Sequence, residues 1–233
     1  MNKKKEIVRE YFSCLPSTND YAKSKREEGR DLIVTASCQS GGRGTKGRAF
    51  SSNEGGVYLS KLTFYENMAA KNAFKIMANA AVAVCETLRF YGLQPVIKWV
   101  NDIYVNDKKI CGILIENVFS GNFISSSVVG IGLNVNNILP DDLSAIATTM
   151  QLQTGKTFSV TEVSERLLDE LEQGHSMKEY LSYIGYMGRK ATLIFDDERV
   201  HGTLLFVDEE GGLLVEIQGE KRRLLAAEVS IKI

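Results

Sequence analysis

The chain has two histidines, His175 and His201, in 233 residues. Neither lies in a motif, so a Ser-His-Asp nucleophile or a histidine-held zinc finds no support. The four cysteines, Cys14, Cys38, Cys85 and Cys111, show no CxxC spacing. Three of them sit in apolar runs, which reads as small buried hydrophobes rather than metal ligands or redox centres. No apolar run reaches the ~18 residues of a membrane span. The basic start MNKKKEIVREYF lacks the apolar run of a signal peptide. The expected location is therefore cytoplasmic, with thiols reduced and no membrane partner. The net charge of −1 supplies no global field to draw the chain to nucleic acid or anionic lipid. Any anion site must be built locally.

What is present is an ordinary globular composition, 44% apolar and 24% charged, in a chain long enough to bury a full core unaided. STNDYAKSKREEG (17–29) reads as a capped helix with Gly29 as its C′ residue. DLIVTASCQ (31–39) reads as a buried strand, and GGVYLSKLTF (55–64) as a second strand with alternating polarity. Residues 67–91 carry the longest helical pattern, closed by Gly92, with a centre so alanine-rich that it should pack closely on a sheet. IKWVNDIYVNDKKICGILIENV (97–118) reads as strand, tight Asn106-Asp107 turn and strand, and Ser120-Gly121-Asn122 turns the chain into FISSSVVGIGLNV (123–135). Short turns between consecutive strands imply an antiparallel meander. Helical patterns follow at about 144–150, 161–173 and 177–184. After Gly185, five short strands separated by DDE, DEEGG and QGE turns predict a small β-barrel. The expected units are thus residues 1–185 and 186–233.

The stretch GGRGTKGRAF (41–50) gathers glycine and cations as an anion-binding loop does. Gly42-x-Gly44-x-x-Gly47 spells the dinucleotide fingerprint, but that motif requires a following helix, and a strand follows here. Gly42 and Gly47 also bracket a P-loop spacing, yet Arg48-Ala49 stands where Lys-Ser/Thr is needed to hold Mg²⁺. A merely solvated loop is the remaining plain reading. KWVND (98–102), Lys109-Ile-Cys-Gly-Ile-Leu-Ile-Glu116 and Gly130-Ile-Gly-Leu-Asn134 weigh against it. Two glycines on one strand face let a flat ligand approach the backbone.

In this order, GGRGTKGRAF, KWVND, KKICGILIE and GIGLN resemble the catalytic core of the biotin protein ligases, whose motifs run GRGRxGRxW, KWPND and KxxGIL(V/I)E. Ser17-Thr18-Asn19 resembles that family's early STN signature. The resemblance covers about residues 13–135, and the C-terminal barrel is similar to the family's. It implies an α+β fold with a mixed, largely antiparallel sheet packed by helices, similar to class II aminoacyl-tRNA synthetases, plus an SH3-like barrel. With 16 residues before STN, the chain resembles the monofunctional class without a DNA-binding domain.

The implied activity is ATP-dependent formation of biotinoyl-AMP, then transfer of biotin to a lysine of a biotin carboxyl carrier domain. ATP with Mg²⁺ is the implied co-substrate, DNA is not an implied partner, and a homodimer is left open. Lys109 and Arg48 are the implied catalytic cations. Biotin is expected at Ser17, Thr18, Asn19, Gln39, Gly42, Arg43, Gly44, Lys109, Gly112, Gly130 and Gly132. The nucleotide is expected at Arg43, Thr45, Lys46, Gly47, Arg48, Phe50, Lys98, Asn101 and Asn134, and Asp102 is the candidate base for the acceptor lysine. Three positions depart from the family pattern: Thr45 replaces an arginine, Phe50 a tryptophan and Val100 a proline. A lipoate or octanoate ligase is the nearest alternative, although its RRxxGGGxVxHD-type stretch is absent. A non-catalytic biotin-binding regulator is the other, and a nucleic-acid role for KRR (221–223) is disfavoured by the overall acidity.

Overall fold

The computed structural model describes residues 7–195, 198–226 and 228–232. Residues 1–6 of the basic start, two residues of the DDE turn, position 227 in the predicted fourth barrel strand and position 233 lie outside them. The elements run β1 (Val8–Leu15), α1 (Thr18–Ser24), β2 (Leu32–Gln39), β3 (Val57–Ala69), α2 (Ala73–Phe90), β4 (Val96–Lys98), β5 (Asp102–Val105), β6 (Lys108–Ser120) and β7 (Phe123–Leu133). Helices α3 (Met150–Thr154), α4 (Val160–Gln173) and α5 (Met177–Tyr183) follow, then strands β8 (Lys190–Phe195), β9 (Glu198–Val207), β10 (Leu213–Ile217), β11 (Glu220–Leu224) and β12 (Ser230–Lys232). The large sheet has the order β1-β2-β3-β7-β6-β5-β4, with only β1 and β2 parallel. The second sheet, β11-β10-β9-β8-β12, is wholly antiparallel.

The β5–β6–β7 meander forms as expected: Asn106 and Asp107 both take positive φ, +49° and +59°, as a two-residue hairpin turn requires. Helix α2 packs on one face of the sheet. Ala78, Ala80, Ala81 and Ala83 are all buried there, so their small side chains bring the helix close to β5 and β6. α4 and α5 flank it, and its apolar cluster runs on into Leu193, Leu204 and Val215 of the second sheet. α1 covers the other face with Ala22 against Leu32, Val34, Leu62 and Val128. Ser17 caps α1 at Asp20 N, and Gly29 closes the following 3₁₀ turn at φ +66°.

Four expectations are corrected. The strand expected to run from 97 to the Asn106-Asp107 turn breaks after Lys98, and the chain turns through 99–101 so that β4 and β5 pair antiparallel. Residues 67–69 belong to β3, because Met68 and Ala69 pair with Ile124 and Phe123 and satisfy their backbone groups in the ladder. The helix expected at 144–150 starts only at Met150, N-capped by Thr149. Cys85 and Cys111 are buried free thiols, but Cys14 and Cys38 are register partners on β1 and β2 and form a disulfide.

Candidate active site

One face of the large sheet is stripped of side chains where Gly112 on β6 pairs with Gly132 on β7. The opposite face of the same strands carries Ile113, Ile131 and Leu133 into the α2 core. Strand alternation thus divides a packing face from a bare one. The bare face floors a cleft of about 930 Å³. The Phe50 ring lies on it: a Cβ at Gly132 would come within 2.5 Å of that ring, and one at Gly112 within 3.2 Å. The space over Gly130 goes instead to the Asn19 side chain, so Gly130 makes room for a neighbour and not for an open ligand surface.

At the α1 end, amides and hydroxyls form a hydrogen-bonded network that faces the cleft. Gln39 Oε1 accepts from Thr18 N at 2.8 Å and from its hydroxyl at 3.0 Å, while Gln39 Nε2 donates to Ser52 at 2.9 Å. Asn19 Oδ1 accepts from Ser60 at 2.6 Å, and Asn19 Nδ2 donates to Glu116 at 2.9 Å. Glu116 also pairs with Lys23 at 2.8 Å. Burial pushes the Glu116 carboxyl up, but the hydrogen bonds from Lys23 and Asn19 outweigh it and hold the group below the usual range. Asp20 pairs with Lys23 and with Arg43, which ties α1 to the glycine-rich loop.

The loop itself is a small hairpin: Phe50 N donates to Gly42 O at 2.9 Å, and Arg43 bridges Ala49. Within it Arg48 donates to Thr45 O at 3.2 Å and to Thr45 Oγ1 at 2.9 Å. Arg43, Gly44, Thr45, Lys46 and Arg48 line the cleft. Gly42 and Gly47, expected there, do not line it. Gly42 is packed against Phe50 O and Ser52 Oγ with no space for a Cβ, and Gly47 turns the loop at φ +72°.

At the far end stand the remaining cations. Lys109 Nζ is 2.7 Å from Asp102 Oδ1 and 5.9 Å from the Phe50 ring centroid. Lys98 pairs in register with Asp102 and lies 3.4 Å from Tyr104 Oη. Burial pushes the Lys98 ammonium below its ordinary range, Asp102 opposes this, and Lys109 and Arg48 add to the lowering. Burial likewise pushes the Tyr104 hydroxyl up to about 12. Asn101 donates to Ile113 O at 2.7 Å. Asn134 lines the cleft, but its side chain is committed to Thr148 O and Asn137; it shapes the wall through that loop. Ser17, Thr18, Asn19, Gln39, Gly112, Gly130 and Gly132 all line the cleft, Gly130 beneath the Asn19 side chain.

Several lining residues were not expected from the sequence. Leu139, Leu143 and Ile146 form an apolar lip, held to the site because Lys109 N donates to Ile146 O at 2.9 Å. Phe74 and Met77 come from α2, Ile231 from β12, and Val229 from the residue just before that strand. The KKICGILIE stretch already contained Glu116, but its partners Asn19 and Lys23 lie more than ninety residues away in sequence.

The sequence profile of the Biotin/lipoate A/B protein ligase family matches residues 11–134. The chain is 31% identical to the Bifunctional ligase/repressor BirA of Bacillus subtilis (strain 168), over 95% of this chain and 73% of that protein. It is 25% identical to the Biotin--[acetyl-CoA-carboxylase] ligase of Paracoccus denitrificans, over 84% of this chain and 88% of that one. Among solved structures, the biotin protein ligase from Aquifex aeolicus in complex with biotin and ATP superposes with a TM-score of 0.77 at 26% identity, covering 97% and 98% of the two chains. With motif order, sheet topology and site geometry in agreement, the chain belongs to the Biotin/lipoate A/B protein ligase family.

Proposed function

We propose that this chain is a biotin–[acetyl-CoA-carboxylase] ligase. The biotin carboxylate attacks the α-phosphorus of ATP and pyrophosphate leaves. A lysine ε-amine of a biotin carboxyl carrier domain then attacks the mixed anhydride, forming an amide and releasing AMP. The observation that carries this reading is the pairing of two unlike ends in one cleft. Thr18, Gln39 and Asn19 offer amide and hydroxyl groups suited to a ureido ring, whose buried polar atoms are costly unless paired. Lys109, Lys98 and Arg48 offer the charge that two mutually repelling anions require. The glycine floor under Phe50 suits the apolar body between those ends. The Paracoccus relative is named for this activity and the Aquifex structure holds biotin and ATP, and both support it.

In this reading Lys109 meets the carboxylate and the bridging oxygen, and Arg48 and Lys98 meet the phosphates. Among the described residues no group of three or more His, Cys, Asp or Glu side chains could hold a metal ion. In this reading Mg²⁺ enters with ATP as its phosphate complex, an arrangement that asks for few protein ligands. Residues 7–185 carry the cleft and the C-terminal sheet closes one wall. The test is incubation with MgATP, biotin and a carrier domain, read by intact mass. A gain of one biotinyl group on the carrier is expected. No gain with a competent acceptor overturns the reading, and labelling with lipoate or octanoate instead assigns the chain to the other branch of the family.

A further inference from the structure

The KWVND segment presents Lys98, Asn101 and Asp102 to the cleft from a short connection between β4 and β5, and its other side chains show how it is held. The indole of Trp99 is buried at 7% exposure and donates to Gly211 O at 3.0 Å. Gly211 belongs to the β9–β10 turn of the C-terminal sheet. At φ +84° it lies flat on the Phe74 ring, and a Cβ at that position would collide with the ring carbons. Phe74 in turn meets Tyr180 edge-on with centroids 5.3 Å apart, and Tyr180 donates to Val100 O at 3.0 Å. The turn is internally fixed: Asp208 accepts from Glu210 N at 2.9 Å and Gly212 N at 2.8 Å, and Arg223 grips Asp208 at 2.6 Å. The Arg223 guanidinium holds the Asp208 carboxyl below the usual range. Trp99 and Val100 are therefore clamped from two elements distant in sequence, through a single aromatic ring shared between them.

We propose that Gly211 is a positioning residue for the nucleotide half of the cleft: its carbonyl and its flat contact with Phe74 set the Trp99–Asp102 segment, and with it Lys98 and Asn101. This rests on the ligase reading above. Trp99, Phe74, Val229 and Ile231 line the same cleft as Lys98 and Asn101, so this junction is one of its walls. The amide and hydroxyl end at Thr18 and Gln39 is built by α1 and β2 and takes no support from the turn. A loss at Gly211 must therefore fall on nucleotide and not on biotin.

The test uses Gly211→Ala and Trp99→Phe in the full chain. Trp99→Phe keeps an apolar ring and removes only the indole donor. Binding of α,β-methylene-ATP to the biotin-loaded protein and binding of biotin alone are measured by calorimetry. Both variants should weaken the nucleotide by about 3- to 10-fold, the equivalent of one lost hydrogen bond, with biotin affinity unchanged within about twofold. Trp99 is the sole tryptophan, so Gly211→Ala should also shift the intrinsic emission to the red. Equal losses for both ligands, or unchanged nucleotide binding with only a lower unfolding midpoint, overturn the proposal. If Gly211→Ala does not fold, Trp99→Phe decides between these outcomes. A wild type that binds both ligands but forms no adenylate with ATP overturns the ligase reading and leaves this contact testable by the same titrations.

Discussion

Lys109 and Asp102 form an ion pair, Nζ to Oδ1 at 2.7 Å, across the β5–β6 pairing. The sequence cast Asp102 as a base for the acceptor lysine, a role needed only in the second half-reaction. On the proposed ligase reading, its place beside Lys109 gives it work in the first as well, by aiming the ammonium toward the biotin carboxylate. Asp102→Asn keeps the size and removes the charge. Pyrophosphate release without any carrier should then slow by about 10- to 100-fold, roughly 1.4–2.7 kcal/mol at the transition state, once the charge that orients Lys109 is gone. Normal release combined with slow carrier labelling would return Asp102 to the base role alone.

Lys98 predicts a pH dependence for the proposed reaction. Its ammonium is held below the ordinary lysine range, first by burial and then by Lys109 and Arg48. As pH rises through that lowered value the cation is lost, and kcat/KM for ATP should fall at a lower pH than an ordinary lysine would dictate. Arginine stays charged throughout. The alkaline limb of the profile should move upward in Lys98→Arg, and a limb that stays in place would assign the titration to another group.

Much of this site was legible because its motifs are local. Lys109 and Gly112 lie on one strand, Gly130 and Gly132 on the next, and period-two alternation puts the glycines on one face. The meander followed from turn residues such as Asn106-Asp107. The contacts that join these pieces were not legible, because register and packing set them over long sequence distances. Asn19 reaches Glu116, and Trp99 reaches Gly211, only once sheets and helices are stacked. Strand β1 went unread because VREYFSCL mixes charges with apolar residues at a half-exposed sheet edge. Asn134, expected at the nucleotide, lines the cleft, but its side-chain bonds to Thr148 and Asn137 follow from a loop that the sequence does not reveal.

The Cys14–Cys38 pair closes a separation of 24 residues between parallel neighbours. Closing a loop of that size restricts the unfolded chain and stabilises the fold by about 3 kcal/mol in the chain-entropy account. Urea unfolding of the oxidised protein should therefore lose about 2–4 kcal/mol when a dithiol reductant is added. Cys14→Ser should unfold identically with and without reductant. Equal wild-type stabilities in the two conditions would mean that these thiols are not joined.

Thr45 stands where the family loop usually carries a second arginine, and here it accepts two hydrogen bonds from Arg48. A hydroxyl cannot fork onto a phosphate, whereas a guanidinium can. Thr45→Arg therefore sets two effects against each other. It removes one of the two bonds tethering the exposed Arg48, that to Thr45 Oγ1, a loss of about 1 kcal/mol or less in water, and leaves the bond to the backbone carbonyl. It adds a bidentate cation facing the adenylate inside the cleft, a gain of about 1.5–3 kcal/mol. The second is larger, so the variant should retain biotinoyl-AMP about tenfold longer than the wild type. Loading the enzyme with labelled biotin and ATP, then chasing with unlabelled biotin, gives the escape rate directly. Equal rates for the two proteins would show that position 45 has no part in holding the intermediate.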